Sequence, residues 1–243
     1  MMTQTSAEIQ NQPTVTLIQQ AGGDAMVAAA AKVSTTGDEA RDLAKIEEEG
    51  GISGLIRYLM RHRHGSPFEH GMMTFFVHAP IFVIREMQRH RIASYNEESG
   101  RYKQLEPVFW SPAEDRPLAR TEGYKPSRPT FETGTPEQFA LIHKHDALYQ
   151  QLYDAYEEEI AAGIGNEVAR RLLPLGTYSS FWITINPRSL MNVLSLRTHH
   201  EDAAFVSYPQ REIEQVAEQM ETAFAEHWPL TYKAFIKNGR VSP

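Results

Sequence analysis

The sequence predicts a protein of the α/β or α+β class. Short runs rich in aromatic and β-branched residues alternate along the chain with longer segments whose apolar residues recur at helical spacing. The 243 residues are 41% hydrophobic and 23% charged, which is the composition of an ordinary globular protein with a sizeable core. No internal repeat or low-complexity tract is visible.

Four segments have the pattern of β-strands. The segment 14–20 alternates polar and apolar residues, as a half-buried strand does. The segment 71–80 is almost uniformly apolar and ends at Pro80, which predicts a buried strand. The other two are a short strand at 106–110 and a longer one at 177–186.

The helical segments carry recognisable start and stop signals. Pro80 suits the first turn of a helix that is expected to end near His90, Gly50 and Gly51 terminate an exposed helix, and Asn166 is a candidate N-cap. The helix with the clearest apolar stripe is expected at Glu137–Ala161. The predicted helices are 23–35, 38–49, 52–64, 80–91, 137–161, 166–173, 187–198 and 210–228.

The segment Ser111–Gln138 is rich in Pro, Gly, Thr and charged residues. We predict a long loop or lid here, within a single domain that covers residues 1–243, because structureless segments of this length are usually functional or disordered.

Composition excludes several kinds of chemistry. The chain has no cysteine, so disulfides, thiolate metal sites and a cysteine nucleophile are excluded. The net charge of −7 argues against general nucleic-acid binding. No long apolar run predicts a membrane span, and the polar N-terminus has no signal-peptide pattern, so a cytoplasmic location is expected.

Positive charge is concentrated locally in the segment Arg85–Lys103. It holds five Arg or Lys and three Glu, which gives 5 − 3 = +2 within a chain of −7. Ser99, Gly100 and Arg101 have the properties of a phosphate cradle, because backbone N–H groups can approach a ligand closely at a glycine and a guanidinium binds two oxygens. The alternative is an arginine-rich helix end that complements the helix dipole, followed by a polar loop.

Two histidine-rich segments allow more than one interpretation. In "RHRHGSPFEH" (61–70) the histidines and Glu69 could bind a metal, but Ser66, Pro67 and Glu69 have the spacing of a helix capping box, which we favour. "HHED" (199–202) is either a weak metal candidate or a charged loop after a helix. Asn192 lies on an otherwise apolar helix and could be a hydrogen-bonded core amide.

The segment "RHRIASYNEESGRY" (89–102) matches, without a mismatch, the pattern R-H-R-x-x-S-x-N-x-x-S-x-R. This pattern resembles the signature of the flavin-dependent thymidylate synthase family (ThyX). The segments "HGSPFEH", "APIFVIREMQRHR", "EVARRLLP" and "INPRSLMNVLSLR" also look like blocks of that family, in the family's order, so the resemblance extends from about Lys32 to the last helix.

The resemblance implies a fold, a reaction and an assembly. The fold would be a mixed central β-sheet flanked by helices, in a homotetramer with active sites at subunit junctions. The reaction would be reductive methylation of dUMP to dTMP, with 5,10-methylenetetrahydrofolate as the one-carbon donor and NADPH as the reductant through FAD. The absence of cysteine is consistent with this, since a flavin route needs no protein thiolate.

The resemblance also assigns roles to individual residues. The residues expected to contact FAD are Ser34, Ser66, Glu69, Arg89, His90, Arg91, Ile92, Glu97, Asn186, Arg188 and Asn192. The residues expected to contact dUMP are Glu86, Met87, Gln88, Arg89, Glu97, Glu98, Ser99, Gly100, Arg101, Arg170 and Arg197. Arg197 would lie at the N3/O4 edge of uracil, where a fixed cation stabilises negative charge. His64 would help to shape the flavin site, and Ser99 is a candidate nucleophile for which we favour a binding role. No metal is expected.

The sequence departs from the family pattern after Arg197, where His199, His200 and Tyr208 are alternative candidates for a flavin contact. Two other functions remain as alternatives: a metal-dependent nucleotide hydrolase that uses the histidine segments, and an RNA-binding module that uses the arginines. Neither accounts for the ordered spacing from Arg89 to Arg101.

Overall fold

The computed structural model of the protein describes residues 5–120, 122 and 131–243. The β-strands are β1 (Glu8–Gln10), β2 (Thr14–Ala21), β3 (Met72–Pro80), β4 (Ser94–Glu97), β5 (Val108–Trp110), β6 (Pro117–Arg120), β7 (Phe131–Thr133) and β8 (Tyr178–Ile185). The α-helices are α1 (Asp24–Thr36), α2 (Leu43–Glu49), α3 (Ile52–Arg61), α4 (Ile81–Met87), α5 (Pro136–Ala161), α6 (Asn166–Ala169), α7 (Pro187–Arg197), α8 (Arg211–His227) and α9 (Pro229–Lys237). The expectation of a mixed α/β fold is therefore confirmed.

The chain divides into two compact units, each assembled from separate segments. The first unit contains the described residues of the ranges 1–13, 78–85 and 97–180, and the second contains the ranges 14–77, 86–96 and 181–243. The single domain that covers residues 1–243 remains a prediction.

Aromatic packing on α5 forms the core of the first unit. Tyr153 and Tyr156 are buried, and the ring of Tyr149 stacks on that of buried Phe109 with centroids 4.8 Å apart. The hydroxyl of Tyr153 donates a hydrogen bond to the carbonyl oxygen of Leu105. That bond holds the segment after β4 against α5. In the same unit β1 pairs in parallel with β5.

The sheet with strand order β2–β3–β8–β4 lies mostly in the second unit. The hydroxyl of Thr74 bonds to that of Thr184, and the ring of Phe76 contacts that of Trp182, so residue numbers rise along β3 as they fall along β8. These two strands are therefore antiparallel. In the core, Phe75 and other side chains of alternate positions are fully buried.

Helices α7, α8 and α9 pack in this second unit, and α8 also packs against β2. Trp228, in the turn between α8 and α9, is fully buried together with Phe224 and Met220. The carboxylate of Asp24 in the first turn of α1 accepts backbone hydrogen bonds from Leu230 and Thr231 at 2.8 Å, which joins the starts of α1 and α9.

Several predicted boundaries are wrong for local reasons. The predicted helix 80–91 ends at Met87, where the hydroxyl of Tyr95 donates hydrogen bonds to the carbonyl oxygens of Met87 and His90 at 2.9 Å. The predicted helix 38–49 is a 3₁₀ turn followed by α2, because the side chain of Asp42 caps the N–H of Lys45. Asn166 is the first residue of α6, and Gly165 occupies the cap position.

The predicted capping box at Ser66 is also wrong. Residues Ser66–Glu69 form a single 3₁₀ turn whose N-cap is Gly65, with no side-chain capping bond. The Glu69 carboxylate accepts a hydrogen bond from Arg188 instead, so a distant charge replaces the local contact.

The predicted loop or lid at 111–138 contains regular structure. β6 and β7 pair in an antiparallel hairpin, with Arg120 opposite Phe131, and Pro136 begins α5. The connection at 121 and 123–130 lies outside the described residues, so the lid remains a prediction.

Candidate active site

Arg197, at the end of α7, is held by two side chains near the end of α4. Its Nη1 atom donates to a carboxylate oxygen of Glu86 at 2.9 Å, and its Nε atom donates to Nε2 of His90 at 3.2 Å. All three side chains are partly buried. A guanidinium bound on two of its edges has a fixed orientation, which is what a cation needs in order to act at one defined atom of a ligand.

Burial keeps His90 in its neutral form, and the hydrogen bond from Arg197 indicates which tautomer it adopts. Burial first, and then the positive charge of Arg197, lower the pKa of His90 from 6.5 to about 4. Because Nε2 accepts a hydrogen bond, the proton of the neutral ring must be on Nδ1. His90 is therefore a neutral imidazole at physiological pH.

Arg188, near the start of α7, fits against the turn Gly65–Glu69. Its Nη1 atom donates to Glu69 at 2.5 Å, and its Nε atom donates to the carbonyl oxygen of Pro243 at 2.8 Å. A Cβ atom on Gly65 would overlap the Cζ and Nε atoms of Arg188. Glycine at position 65 is therefore required for the observed position of Arg188, and nothing in the local sequence indicates this long-range contact.

The two asparagines expected at the flavin differ in their environments. The side-chain oxygen of Asn186 caps α7 by accepting the N–H of Ser189 at 2.8 Å, which leaves its amide N–H groups for a ligand. Asn192 is exposed, so the interpretation of a core amide is wrong, and it lies one helical turn beyond Arg188.

The segment after α4 presents exposed side chains in the second unit. Arg89, Arg91 and Ile92 are exposed, and the side chain of Ile92 is 74% accessible. Within the described part of the chain, no carboxylate pairs with either arginine. Gln88 is also exposed, whereas the side chain of Met87 is completely buried in the core. Two unpaired guanidiniums beside an exposed apolar side chain can bind an anionic ligand that also has an apolar face.

The turn that follows β4 belongs to the first unit and brings Ser99 and Gly100 close to Arg170. The hydroxyl of Ser99 accepts a hydrogen bond from the N–H of Arg101 at 3.3 Å. A Cβ on Gly100 would lie 3.3 Å from Cδ of Arg170 and 3.1 Å from Leu105, so glycine allows Arg170 to approach the turn. Arg101 pairs with Glu167 at 2.8 Å, whereas no described carboxylate pairs with Arg170.

Two glutamates, Glu97 and Glu98, directly precede Ser99 and Gly100 of this turn. The N–H of Glu98 donates to the carbonyl oxygen of Ser180 at 2.8 Å, and its carboxylate pairs with Lys103 at 2.6 Å. That bond raises the pKa of Lys103. Glu97 is the last residue of β4 and is exposed. The predicted phosphate-binding residues Ser99, Gly100, Arg101 and Arg170 thus lie together in one unit.

The remaining flavin-site candidates lie on other elements of the second unit. Ser34 is in the last turn of α1, where its hydroxyl donates to the carbonyl oxygen of Ala31. Ser66 is exposed in the turn that packs against α1. His64 is also exposed, and its ring contacts that of Tyr58 edge-on at 5.8 Å.

Contacts after α7 distinguish the three candidates for a flavin contact, which are His199, His200 and Tyr208. His199 is bonded through Nδ1 to the carbonyl oxygen of Ser207 at 2.8 Å, which raises its pKa, and its ring lies 5.0 Å from that of Tyr208. His200 instead lies near Glu221, with 3.9 Å between its Nε2 atom and a carboxylate oxygen. His199 and Tyr208 therefore form one aromatic surface, which His200 does not join.

Neither histidine segment forms a metal cluster. Among residues 5–120, 122 and 131–243, no group of three or more His, Asp or Glu side chains could hold a metal ion. The metal-dependent hydrolase requires such a group. None of the helices in these same ranges is long and apolar enough to cross a membrane.

Sequence reasoning missed a polar network that joins the segment 240–243 to α7. Arg240 is buried and forms a bidentate pair with Glu221 at 2.7 and 2.9 Å. It also donates to the hydroxyl of Thr198 at 2.7 Å, directly after Arg197, and its carbonyl oxygen accepts from Ser195 at 2.5 Å. The opposite charges of Arg240 and Glu221 could have indicated a pair, but no sequence spacing connects them.

Comparisons with known proteins identify relatives along nearly the whole chain. Residues 16–230 match the family described as "thymidylate synthase complementing protein". A flavin-dependent thymidylate synthase of Streptomyces avermitilis is 53% identical over 232 residues, which cover 95% of this chain and 93% of the relative. The enzyme of the same name from Tropheryma whipplei is 50% identical over 95% of each chain.

Solved structures similar to this chain include a UMP/dUMP methylase, PolB, from Streptomyces cacaoi. With 5-Br dUMP bound, that structure gives a TM-score of 0.88 and 47% identity, over 97% of this chain and 100% of the other. The structure with 5-Br UMP bound gives a TM-score of 0.87 and 45% identity, over 98% and 100%.

Proposed function

The chain belongs to the flavin-dependent thymidylate synthase family, and from this premise we propose that it converts dUMP to dTMP by reductive methylation. The methylene group comes from 5,10-methylenetetrahydrofolate and the reducing equivalents come from NADPH through FAD. The observation that carries the proposal is the 53% identity to a flavin-dependent thymidylate synthase over 95% of this chain.

FAD suits the exposed side chains of the second unit. Arg89 and Arg91 provide two guanidiniums without described carboxylate partners, and Asn192 is exposed one turn beyond Arg188. These groups can bind the phosphates of the cofactor, and the hydrogen-bonded Arg188 can donate to a ring or sugar oxygen. When bound, FAD supplies the transfer of reducing equivalents that the methylation needs.

The dUMP phosphate suits the turn around Gly100. The N–H groups of Ser99 and Gly100 and the side chain of Arg170 can bind phosphate oxygens, since Gly100 leaves room for a close approach. Ser99 acts as a hydrogen-bonding group there, because its hydroxyl already accepts the N–H of Arg101 and no described base lies within hydrogen-bond distance of it.

Arg197 supports the chemistry at the uracil ring. Adding carbon at C5 is easier when negative charge builds up on the ring, and a fixed cation near N3 and O4 stabilises that charge. His90 stays neutral, and Glu86 holds the guanidinium of Arg197 in a fixed orientation. His64 is exposed in the same unit and shapes the approach to the flavin.

The absence of cysteine distinguishes this chemistry from a thiolate mechanism. No residue of the chain can form the thioether to the pyrimidine that a cysteine nucleophile would form. Activation of the ring therefore depends on the electrostatic groups and the reduced cofactor.

The proposal extends to assembly and location. We expect a cytoplasmic homotetramer with active sites at subunit junctions. The support for an assembly is a set of large exposed apolar side chains, including Ile92 at 74%, Tyr102 at 79% and Phe205 at 79%. Where such side chains form a contiguous patch, the patch marks a site for a ligand or for another subunit.

Titration with FAD, with and without dUMP, tests the site. We expect saturable flavin binding whose fluorescence and absorbance change when dUMP is added, because the proposed reaction passes reducing equivalents from the flavin to the uracil ring. Absence of flavin binding in both titrations would reject the proposal. UMP is titrated in parallel, since the solved structures similar to this chain are of a UMP/dUMP methylase; a response to dUMP alone supports dTMP synthesis.

A further inference from the structure

A basic pocket lies between α3 and α9 in the second unit. The cavity has a volume of about 320 Å³. It is lined by Gly54, Arg57, Tyr58 and Arg61 from α3 and by Ala234, Lys237 and Asn238 at the end of α9. None of these residues has a role in the site described above.

No carboxylate among the described residues pairs with the three cations of this pocket. The lining contains no carboxylate, and no described Asp or Glu pairs with Arg57, Arg61 or Lys237. Other arginines of this protein, such as Arg101, Arg171 and Arg211, each bind a carboxylate. Three unneutralised positive charges around one cavity repel each other, and an anionic ligand would remove this repulsion.

The helix dipole explains only part of this arrangement. Arg61 and Lys237 lie in the last turns of α3 and α9, where a cation interacts favourably with the helix C-terminus. Arg57 lies one turn earlier and faces the same cavity, with its Nε atom bonded to the carbonyl oxygen of Ser53. That bond leaves its terminal nitrogens available to a ligand.

An aromatic row leads from the pocket to His64. The ring of Tyr58 is 49% exposed, and its centroid lies 4.4 Å from that of His62 and 5.8 Å from that of His64. A ligand whose charged tail occupies the pocket could therefore extend along these rings to the exposed His64. The pocket is well placed for the tail of a molecule that reacts near His64.

We propose that this pocket binds the polyanionic tail of a cosubstrate. The tail carries several carboxylates or phosphates, which are the groups that guanidinium and ammonium donors bind with charge-assisted hydrogen bonds. Two cosubstrates have such a tail: the glutamyl chain of the folate and the phosphates of NADPH. The assignment to a cosubstrate depends on the proposed function, whereas the anion site itself does not.

The first experiment measures anion binding alone. The FAD-loaded enzyme is titrated with tripolyphosphate by calorimetry, with the variants Arg57→Gln/Arg61→Gln and Lys237→Gln. Lys233→Gln is the matched control, because Lys233 is exposed on α9 and does not line the pocket. Loss of two charge-assisted contacts should weaken binding about tenfold in the double variant and leave the control unchanged.

The second experiment identifies the source of the tail. Michaelis constants are compared for 5,10-methylenetetrahydrofolate with one and with five glutamates, and for NADPH. If the pocket binds the glutamyl tail of the folate, the wild-type enzyme has a lower Michaelis constant for the pentaglutamate than for the monoglutamate. The double variant loses this preference, and its Michaelis constant for the monoglutamate is unchanged. If the pocket binds the phosphates of NADPH, the Michaelis constant for NADPH rises about tenfold in the double variant. The double variant then keeps the wild-type preference for the pentaglutamate folate.

The outcomes separate this proposal from the proposed function. Equal tripolyphosphate binding by the double variant and the wild type would overturn the anion site. Tripolyphosphate binding with unchanged Michaelis constants would overturn the assignment to a cosubstrate. An enzyme that makes no dTMP but binds tripolyphosphate through Arg57 and Arg61 would overturn the proposed function and retain the anion site.

Discussion

The guanidinium of Arg197 donates a hydrogen bond to Nε2 of His90 across 3.2 Å. The motif residue His90 therefore contacts a residue of α7 that lies 107 positions away along the chain. Since Arg197 is also bonded to Glu86, its charge is oriented by α4 and by the turn that follows it. His90 of the signature segment therefore helps to hold the guanidinium of Arg197 in one orientation.

Replacing Arg197 tests whether its positive charge supports the chemical step. Arg197→Gln removes the cation and should lower kcat by about two to three orders of magnitude, as loss of an electrostatic transition-state contact does. Arg197→Lys keeps the charge but loses the second donor, so an intermediate kcat is expected. Single-turnover formation of dTMP at saturating dUMP measures the effect. Equal kcat for Gln and wild type would show that the cation has no role in the chemical step.

His90 makes stability depend on pH. Its pKa is about 4 in the folded protein and 6.5 without perturbation. As pH falls from 6.5 to 4, the unfolded chain takes up a proton that the folded chain does not, so the free energy of unfolding decreases. Because the ring is only partly buried, the loss should be about 1 to 2 kcal/mol.

The matched variant for this effect is His90→Gln, which retains an acceptor for Arg197 and does not titrate. Urea denaturation at several pH values between 4 and 7 measures both proteins. The wild type should lose more stability than the variant over this range. Parallel curves for the two proteins would contradict the assignment of the pH dependence to His90.

Gly65→Ala should displace Arg188. The added methyl group would overlap the guanidinium, so Arg188 loses its contacts with Glu69 and Pro243. FAD affinity is expected to fall about tenfold, the effect of losing one charge-assisted contact. Gly165→Ala is the control, because a Cβ there meets no atom within 4 Å. An unchanged FAD affinity of Gly65→Ala in flavin fluorescence titrations would show that Arg188 does not contribute to FAD binding.

The buried pair Arg240–Glu221 should contribute strongly to stability. Arg240→Met leaves the Glu221 carboxylate buried without its main partner, which typically costs about 3 to 5 kcal/mol. The double variant Arg240→Met/Glu221→Gln leaves no uncompensated charge, so it should lose less. Chemical denaturation of both variants measures the difference. A larger loss in the double variant would be incompatible with an uncompensated charge as the cause.

Helices and strands that depend on residues within or next to them could be predicted from the sequence. α5 was predicted from its apolar stripe, and it begins at Pro136, one residue before the prediction, after a capping box formed by Thr135 and Gln138. β8 was predicted from its aromatic and β-branched residues, and α7 from the proline at its start.

Elements that depend on distant contacts could not be predicted. β4 is a polar edge strand, and only its pairing beside β8 makes it a strand. The turn at Ser66 lacks its capping box because Arg188, 119 residues beyond Glu69, takes the carboxylate. The sequence motif identified the residues around Arg89 and Arg101, but it gave no indication that His90 is neutral or that Gly65 makes room for Arg188.

Formation of dTMP tests the central claim most directly. The purified enzyme is incubated with dUMP, 5,10-methylenetetrahydrofolate labelled in the methylene group, NADPH and FAD, and nucleotides are separated by chromatography. We expect labelled dTMP, whose formation depends on FAD and is insensitive to a metal chelator. Consumption of dUMP to deoxyuridine and phosphate, with no labelled dTMP and with inhibition by the chelator, would contradict the synthase and favour a metal-dependent hydrolase.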